Sequence, residues 1–278
     1  MIWKTRRTAC DLTRRGEVMG ILNVTPDSFS DGGRHADFLS AMAHARRMIA
    51  EGAAILDVGG ESTRPGAVPV EAGEEMRRVV PVVRELRAEW DGLISVDTSK
   101  AVVAAAALAA GADIVNDVTG LSGDPEMTAV CRDAGCGVVV MHMQGQPRTM
   151  QADPRYDDVV AEVAAYLARR MDELVAAGMN EQVICFDPGI GFGKTVEHNL
   201  ALLRAADRLA AAGRPLLLGV SRKSFLGKVL GTNALEARDW PTAALTAWTR
   251  ATGARIWRVH EVRGNVEALR MAEAILGG

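Results

Sequence analysis

Cysteine, aromatic residues, excess charge and long apolar runs are all scarce in this sequence. Only four of the 278 residues are cysteine: Cys10, Cys131, Cys136 and Cys185. None are spaced as CxxC and no histidine beside them completes a zinc pattern, so they read as reduced core thiols of a cytoplasmic protein. Net charge is only −3, which removes any general attraction to nucleic acid or anionic membrane. Anion binding must therefore come from locally placed cations. Aromatics make up 4% of the chain, and Trp3, Trp90, Trp240, Trp248 and Trp257 form no stacking platform along a basic groove, so nucleic acid is not an expected partner. The alanine-rich stretch 101–110 suits a packed helix and is too short to span a bilayer, so no membrane association is expected. The opening MIWKTRRTACDLTRRGEV has scattered arginines and no apolar run, unlike a secretory signal. No HExxH or His/carboxylate triplet marks a zinc or iron site built by the protein alone.

Short, continuous apolar runs are plentiful. Strands are predicted near Val18–Leu22, Ala54–Val58, Leu93–Val96, Ile114–Val115, Gly137–Met141, Val183–Phe186, Leu216–Val220 and Ile256–Val259. Runs without alternation are what parallel strands covered on both faces require. Helical periodicity lies between them, at Ala36–Glu51, Glu71–Trp90, Ser99–Ala110, Pro125–Ala134, Tyr156–Ala177, Glu197–Ala212, Pro241–Thr252 and Val266–Leu276. Pro81 should kink or split the second of these. Thr98 or Ser99 is the candidate N-cap of the third. Gly135, Gly178, Gly213 and Gly253 stand where helices should stop. Eight βα units without a linker predict a single domain over 1–278, a closed (β/α)8 TIM barrel over 17–278. Residues 1–16 precede the first strand and are expected to form a short N-terminal hairpin or plug.

In such a barrel the active site lies at the C-terminal ends of the strands. Every predicted strand releases a polar group there: Asn23, then a loop with Thr63 and Arg64, then Asp97, Asn116, His142 (after Met141), Asp187, the Arg222-Lys223 pair and His260, with Arg258 two residues earlier. One reading of Asp97 is a helix cap. The alternative is a deep set of Asp97, Asn116 and Asp187, which suits a flat heterocycle with a guanidine-like donor edge. The 20–33 stretch GILNVTPDSFSDGG is a long, turn-rich loop on that face and is expected to act as a lid. DPGIGFGKT (187–195) has neither P-loop nor dinucleotide-binding spacing, and reads as a close-approach surface for a flat ligand. SRKS (221–224) beside Arg258 and His260 reads as a phosphate corner.

Taken in order, NVTPDSFSDGG (23–33), DVGGESTRPGA (57–67), ISVDTSK (94–100), IVNDVTG (114–120), VMHMQGQPRTMQ (140–151), DPGIGFGK (187–194), SRKSFLG (221–227) and RVHEV (258–262) resemble the successive signatures of the dihydropteroate synthase family. The resemblance runs from about residue 18 to the C-terminus. It implies condensation of 6-hydroxymethyl-7,8-dihydropterin diphosphate with p-aminobenzoate, dependence on Mg2+, and a homodimer formed through helices. It assigns Asp97, Asn116, Asp187, Lys223 and Met141 to the pterin, and Asn23 to Mg2+. Arg258 and His260 fall to the diphosphate. Thr63, Arg64, Pro65, Phe192 and Ser224 fall to the aminobenzoate pocket. Asp31 is the candidate anion near the reacting carbon. Trp240 at the entry to the seventh helix departs from expectation and bears on the dimer surface. Two rivals stand beside this reading. A methyltetrahydrofolate methyltransferase would share the pterin contacts but has no use for SRKS and RVH. A catalytically silent pterin-binding paralogue should have lost loop-1 or diphosphate residues.

Overall fold

The computed structural model describes residues 1–25, 33–62, 68–146, 149–210 and 213–277, apart from the side chains of 33–36. The lid reading of loop 1, with Asp31, and the loop-2 residues Thr63, Arg64 and Pro65 lie outside the described residues.

A two-stranded antiparallel hairpin, β1 (Ile2–Lys4) and β2 (Ala9–Asp11), precedes the barrel. Eight parallel strands follow: β3 (Glu17–Asn23), β4 (Ile55–Gly59), β5 (Leu93–Asp97), β6 (Ile114–Asp117), β7 (Gly137–Met141), β8 (Ile184–Asp187), β9 (Leu217–Leu218) and β10 (Ile256–Val259). Their order is β8-β7-β6-β5-β4-β3-β10-β9. A parallel bridge from Phe186 to Leu216 closes the ring, backed by Phe186 N donating to Pro215 O at 2.8 Å. Ten helices, α1 (Gly33–Ala50) to α10 (Arg263–Ile275), lie among the described residues.

The strand alternation explains where the core ends and the site begins. One residue of every barrel strand, among them Met19, Ile55, Cys185 and Ile256, points inward and forms a small buried cluster with Trp3 and Leu12 of the N-terminal segment. The hairpin is thus the expected plug, and Trp3 Nε1 fixes it by donating to Val183 O at 2.8 Å. Two residues further along their strands, on the same inward face, come Asp57 above Ile55, Asp187 above Cys185 and Arg258 above Ile256. The intervening residues, such as Leu56, Phe186 and Trp257, pack outward under the helices.

Several helix boundaries differ from expectation. Pro81 sits inside an unbroken α2 (Ala72–Glu89). The helix α3 (Ala101–Ala110) has Lys100 at its cap position, not Thr98 or Ser99, and the Ala101 N–H is taken by Asp124 at 2.8 Å. Asp97 is therefore not spent as a cap. The helix α5 (Val159–Ala176) starts late because Asp158 caps it, accepting from Val160 N and Ala161 N. The single helix expected after β8 is two helices over the described residues, α6 (Val196–Arg204) and α7 (Ala206–Ala210). His198 completes a capping box with Thr195 at the start of α6. A short helix, α8 (Ser224–Leu230), precedes α9 (Asp239–Ala251) and was not foreseen.

Asp113 is the main polar anchor at the barrel floor. Fully buried, it accepts from Arg7 Nε at 2.7 Å, Arg87 Nη2 at 2.5 Å and the Ile94 N–H at 3.0 Å. Asp113→Ala should destabilise the fold by about 3–5 kcal/mol in urea titrations, because it strands buried donors and cations. The folded fraction should keep normal catalysis, since Asp113 lies at the pole opposite the site.

Candidate active site

The upper inward layer of the barrel is a connected set of charges. Arg258, carried by β10, donates from Nε to Asp57 Oδ2 at 2.5 Å and from Nη2 to Asp97 Oδ2 at 2.6 Å. The same Asp57 oxygen accepts from Asn116 Nδ2 at 3.0 Å. Asp97 and Asn116 are register partners on β5 and β6, and Met141 and Asp187 are register partners on β7 and β8. The strand geometry therefore delivers four of the five predicted pterin residues to one rim.

Asp187 faces Lys223 across Gly219. A Cβ at Gly219 would lie 3.7 Å from both Asp187 Oδ2 and Lys223 Nζ, which places the two charges on either side of it. Asp187 Oδ1 accepts from the Gly189 N–H at 2.7 Å. Lys223 Nζ donates to Ile190 O and sits 4.5 Å from the centre of the Phe192 ring. Burial drives the ionisations, and neighbouring charges oppose it. Burial pushes the Asp97 carboxyl up to about 7, with Arg258 pulling it down and Asp57 adding to the rise. Burial also raises Asp187 against the pull of Lys223. It lowers the Lys223 ammonium to about 8, with Asp187 pulling the other way. Burial disfavours the Arg258 cation, but Asp57 and Asp97 outweigh it and hold the guanidinium firmly charged.

The loop after β8 is clamped against the loop after β7. Gly189, at φ +67°, lies so close to the His142 carbonyl that a Cβ would come within 1.8 Å of its oxygen. Lys194, almost fully buried, donates to His142 Nδ1 at 3.0 Å and to Phe192 O at 2.9 Å. Burial lowers the Lys194 ammonium to about 7, and burial with the adjacent Lys194 charge lowers His142 to about 3. The imidazole is thus neutral, its Nδ1 an acceptor. This clamp orients Phe192 over Lys223.

At the phosphate corner, Ser221 Oγ accepts from the His260 N–H at 3.1 Å and lies 3.0 Å from His260 Nδ1. Ser221 thus occupies Nδ1 of His260, so a ligand would meet the ring at Nε2. Arg222 is a correction. At φ +56°, its guanidinium turns away to pair doubly with Asp239, at 2.7 and 2.8 Å, so it does not join Lys223 in an anion site. Ser224 is the first residue of α8 and is exposed. Asn23 ends β3 beside Gly59, where a Cβ would lie 3.7 Å from Asn23 Oδ1 and 3.8 Å from Asp97 Oδ2.

Three residues escaped sequence reasoning: Asp57, Lys194 and Ser221. Asp57 had a usable signal, a carboxylate in the middle of a buried strand run. Lys194 was read only within DPGIGFGKT and Ser221 only within SRKS, neither with a role of its own.

A barrel whose mouth sets acids and an amide against two cations defines a binder of flat, donor-edged heterocycles. Residues 19–260 match the family described as pterin binding enzymes. The chain is 46% identical to dihydropteroate synthase of Neisseria meningitidis serogroup C, over 99% of this chain and 97% of that protein. It is likewise 46% identical to the Escherichia coli dihydropteroate synthase, over 97% of this chain and 94% of that one. Among solved structures, Yersinia pestis dihydropteroate synthase in a sulfonamide drug complex superposes with a TM-score of 0.93 at 43% identity, covering 100% of both chains. The Xanthomonas albilineans enzyme with 7,8-dihydropteroate gives 0.90 at 40% identity, again over 100% of both. The chain belongs to the pterin-binding enzymes and, within them, to the dihydropteroate synthase family.

Proposed function

We propose that this chain condenses 6-hydroxymethyl-7,8-dihydropterin diphosphate with p-aminobenzoate to give 7,8-dihydropteroate and diphosphate. The observation that carries this reading is the convergence of Asp97, Asn116, Asp187, Lys223 and Arg258 on one rim, with His260 beside them. The acids and the amide hold the donor edge of the pterin. Lys223 meets its carbonyl side and Met141 packs against the ring. Arg258, tied to Asp57 and Asp97, and Nε2 of His260 face the departing diphosphate. Thr63, Arg64, Pro65, Phe192 and Ser224 shape the aminobenzoate pocket.

Among the described residues, no group of three or more His, Cys, Asp or Glu is arranged to hold a metal. One amide oxygen from Asn23, completed by diphosphate oxygens and water, fits Mg2+, which keeps much of its hydration shell and binds through substrate phosphates. Bound there, Mg2+ supplies charge neutralisation for the leaving group. The reaction breaks the bond from the pterin methylene to oxygen, and the electron pair leaves with diphosphate. The arylamine nitrogen then bonds to that carbon and releases a proton. A neutral arylamine needs no strong base to attack the methylene carbon. Asp31 is our candidate for stabilising the methylene cation. The diphosphate-facing His260 and the SRKS segment are retained, which favours a synthase over a methyltransferase.

We further infer a cytoplasmic homodimer. Four free thiols support the compartment, and no helix among the described residues is long and apolar enough to cross a membrane. Trp240 on α9 and Met271 and Ile275 on α10 are exposed by 83%, 64% and 80%, a surface that a second copy would cover.

Incubating the purified chain with both substrates and Mg2+ tests the function. Diphosphate release that requires p-aminobenzoate, and that sulfonamides inhibit competitively against it, is expected. Pterin binding without turnover would indicate a silent paralogue. The ionisations predict a narrow optimum for pterin affinity. Binding should weaken below about pH 7 as Asp97 takes up a proton, and above about pH 8 as Lys223 loses one. Calorimetric titration from pH 5.5 to 9 checks this; a flat profile contradicts it.

A further inference from the structure

The buried carboxylate of Asp57 has no role in the reaction outlined above, yet it sits beneath two residues that do. Its Oδ2 accepts from Asn116 Nδ2 at 3.0 Å and from Arg258 Nε at 2.5 Å, and its Oδ1 has no partner among the described residues. A carboxylate ion-paired with a guanidinium offers acceptors only. Asn116 must therefore turn its amino group toward Asp57, which leaves its Oδ1 as the group for a ligand. Asp97 and Asp187 are acceptors as well.

We propose that Asp57 is a specificity-determining positioning residue: by holding the Asn116 amide in one orientation, it makes the pterin-facing wall acceptor-only. Such a wall takes a ring with an exocyclic amine and rejects the otherwise similar ring with a carbonyl in that place. With the carbonyl ring, Asn116 Oδ1 would face another acceptor, and neither could supply a proton. Without Asp57 the amide is released to rotate and offers Nδ2 instead, so the carbonyl ring becomes acceptable. The Arg258 bond to Asp97 survives such a change, so the effect is directed at the amide. This inference rests on the pterin reading of the site.

The test compares binding of 6-hydroxymethylpterin and its 2-oxo counterpart, 6-hydroxymethyllumazine, by calorimetry without turnover. The wild-type chain should prefer the amine. Asp57→Ala should lower that preference by about tenfold or more, chiefly because the lumazine binds better relative to the pterin. Asp57→Asn, whose carbonyl still accepts from Asn116 Nδ2, should keep the preference even if both ligands bind more weakly. That variant leaves the idea open to refutation should Asp57→Ala not fold. Equal weakening of both ligands in Asp57→Ala, or loss of preference in Asp57→Asn, overturns the proposal. A wild-type chain that binds pterin without preference also overturns it. A wild-type chain that binds no pterin overturns the function reading beneath it.

Discussion

Lys223→Ala should lower kcat/KM for the pterin diphosphate by roughly a hundred- to several-thousand-fold, the cost of about 3–5 kcal/mol for leaving the buried Asp187 carboxylate without its chief opposing cation. Two losses combine. The ammonium at the carbonyl side of the pterin disappears, and Asp187 loses the strongest of the charges opposing its burial. Without that charge the Asp187 carboxyl is pushed further up, which weakens it as a double acceptor. Lys223→Arg should not rescue activity. The lysine stem passes so near Gly191 that a Cβ there would come within 2.8 Å of Lys223 Cδ, and a planar guanidinium does not fit that channel. The KM for p-aminobenzoate should move much less than that for the pterin, because among the described residues Lys223 meets the proposed aminobenzoate pocket through the Phe192 ring. Steady-state kinetics with each substrate varied in turn decides this, and a near-normal kcat/KM removes Lys223 from the site.

The barrel and most of its rim were legible in the sequence for one reason. A parallel strand covered on both faces must be apolar until its C-terminal tip, so a polar residue at the end of each run marks the rim. Asp97, Asn116 and Asp187 follow that rule. Asp57 does not. It lies inside its strand run, and its meaning depends on facing Arg258 across the barrel, a contact 201 positions apart in sequence. Arg222 misled for a related reason. It adjoins Lys223, but a left-handed backbone turns it outward to Asp239, and nothing in SRKS announces that turn. Helix starts were read less well because caps come from outside the periodic segment, as Asp124 does for α3. The Lys194 clamp was illegible because its partners are a carbonyl and an imidazole on separate loops.

Arg258→Met should destabilise the fold by about 3–5 kcal/mol at pH 8, a fall in Tm on the order of 10 °C, and by markedly less at pH 5.5. The side chain is only 19% exposed and its partners Asp57 and Asp97 are 0% and 7% exposed, so its loss leaves two carboxylates in the barrel with no counter-cation of equal reach. The sign follows from proton binding. Burial already raises Asp97 to about 7 with Arg258 present, from an ordinary value of 3.8. Removing the cation raises it further. A carboxyl whose folded value exceeds its unfolded one binds more protons when folded, so its contribution to stability falls as pH rises between the two values. In the variant that window reaches higher, and the deficit grows from pH 5.5 to pH 8. Thermal unfolding at the two pH values measures it, and a pH-independent deficit would mean that lost packing, not stranded charge, is the cause. Pairing Arg258→Met with Asp97→Asn separates fold from function. The double variant removes one stranded charge and should regain much of the lost Tm, yet it should stay inactive, since the pterin edge has then lost an ionised acceptor and the diphosphate a cation.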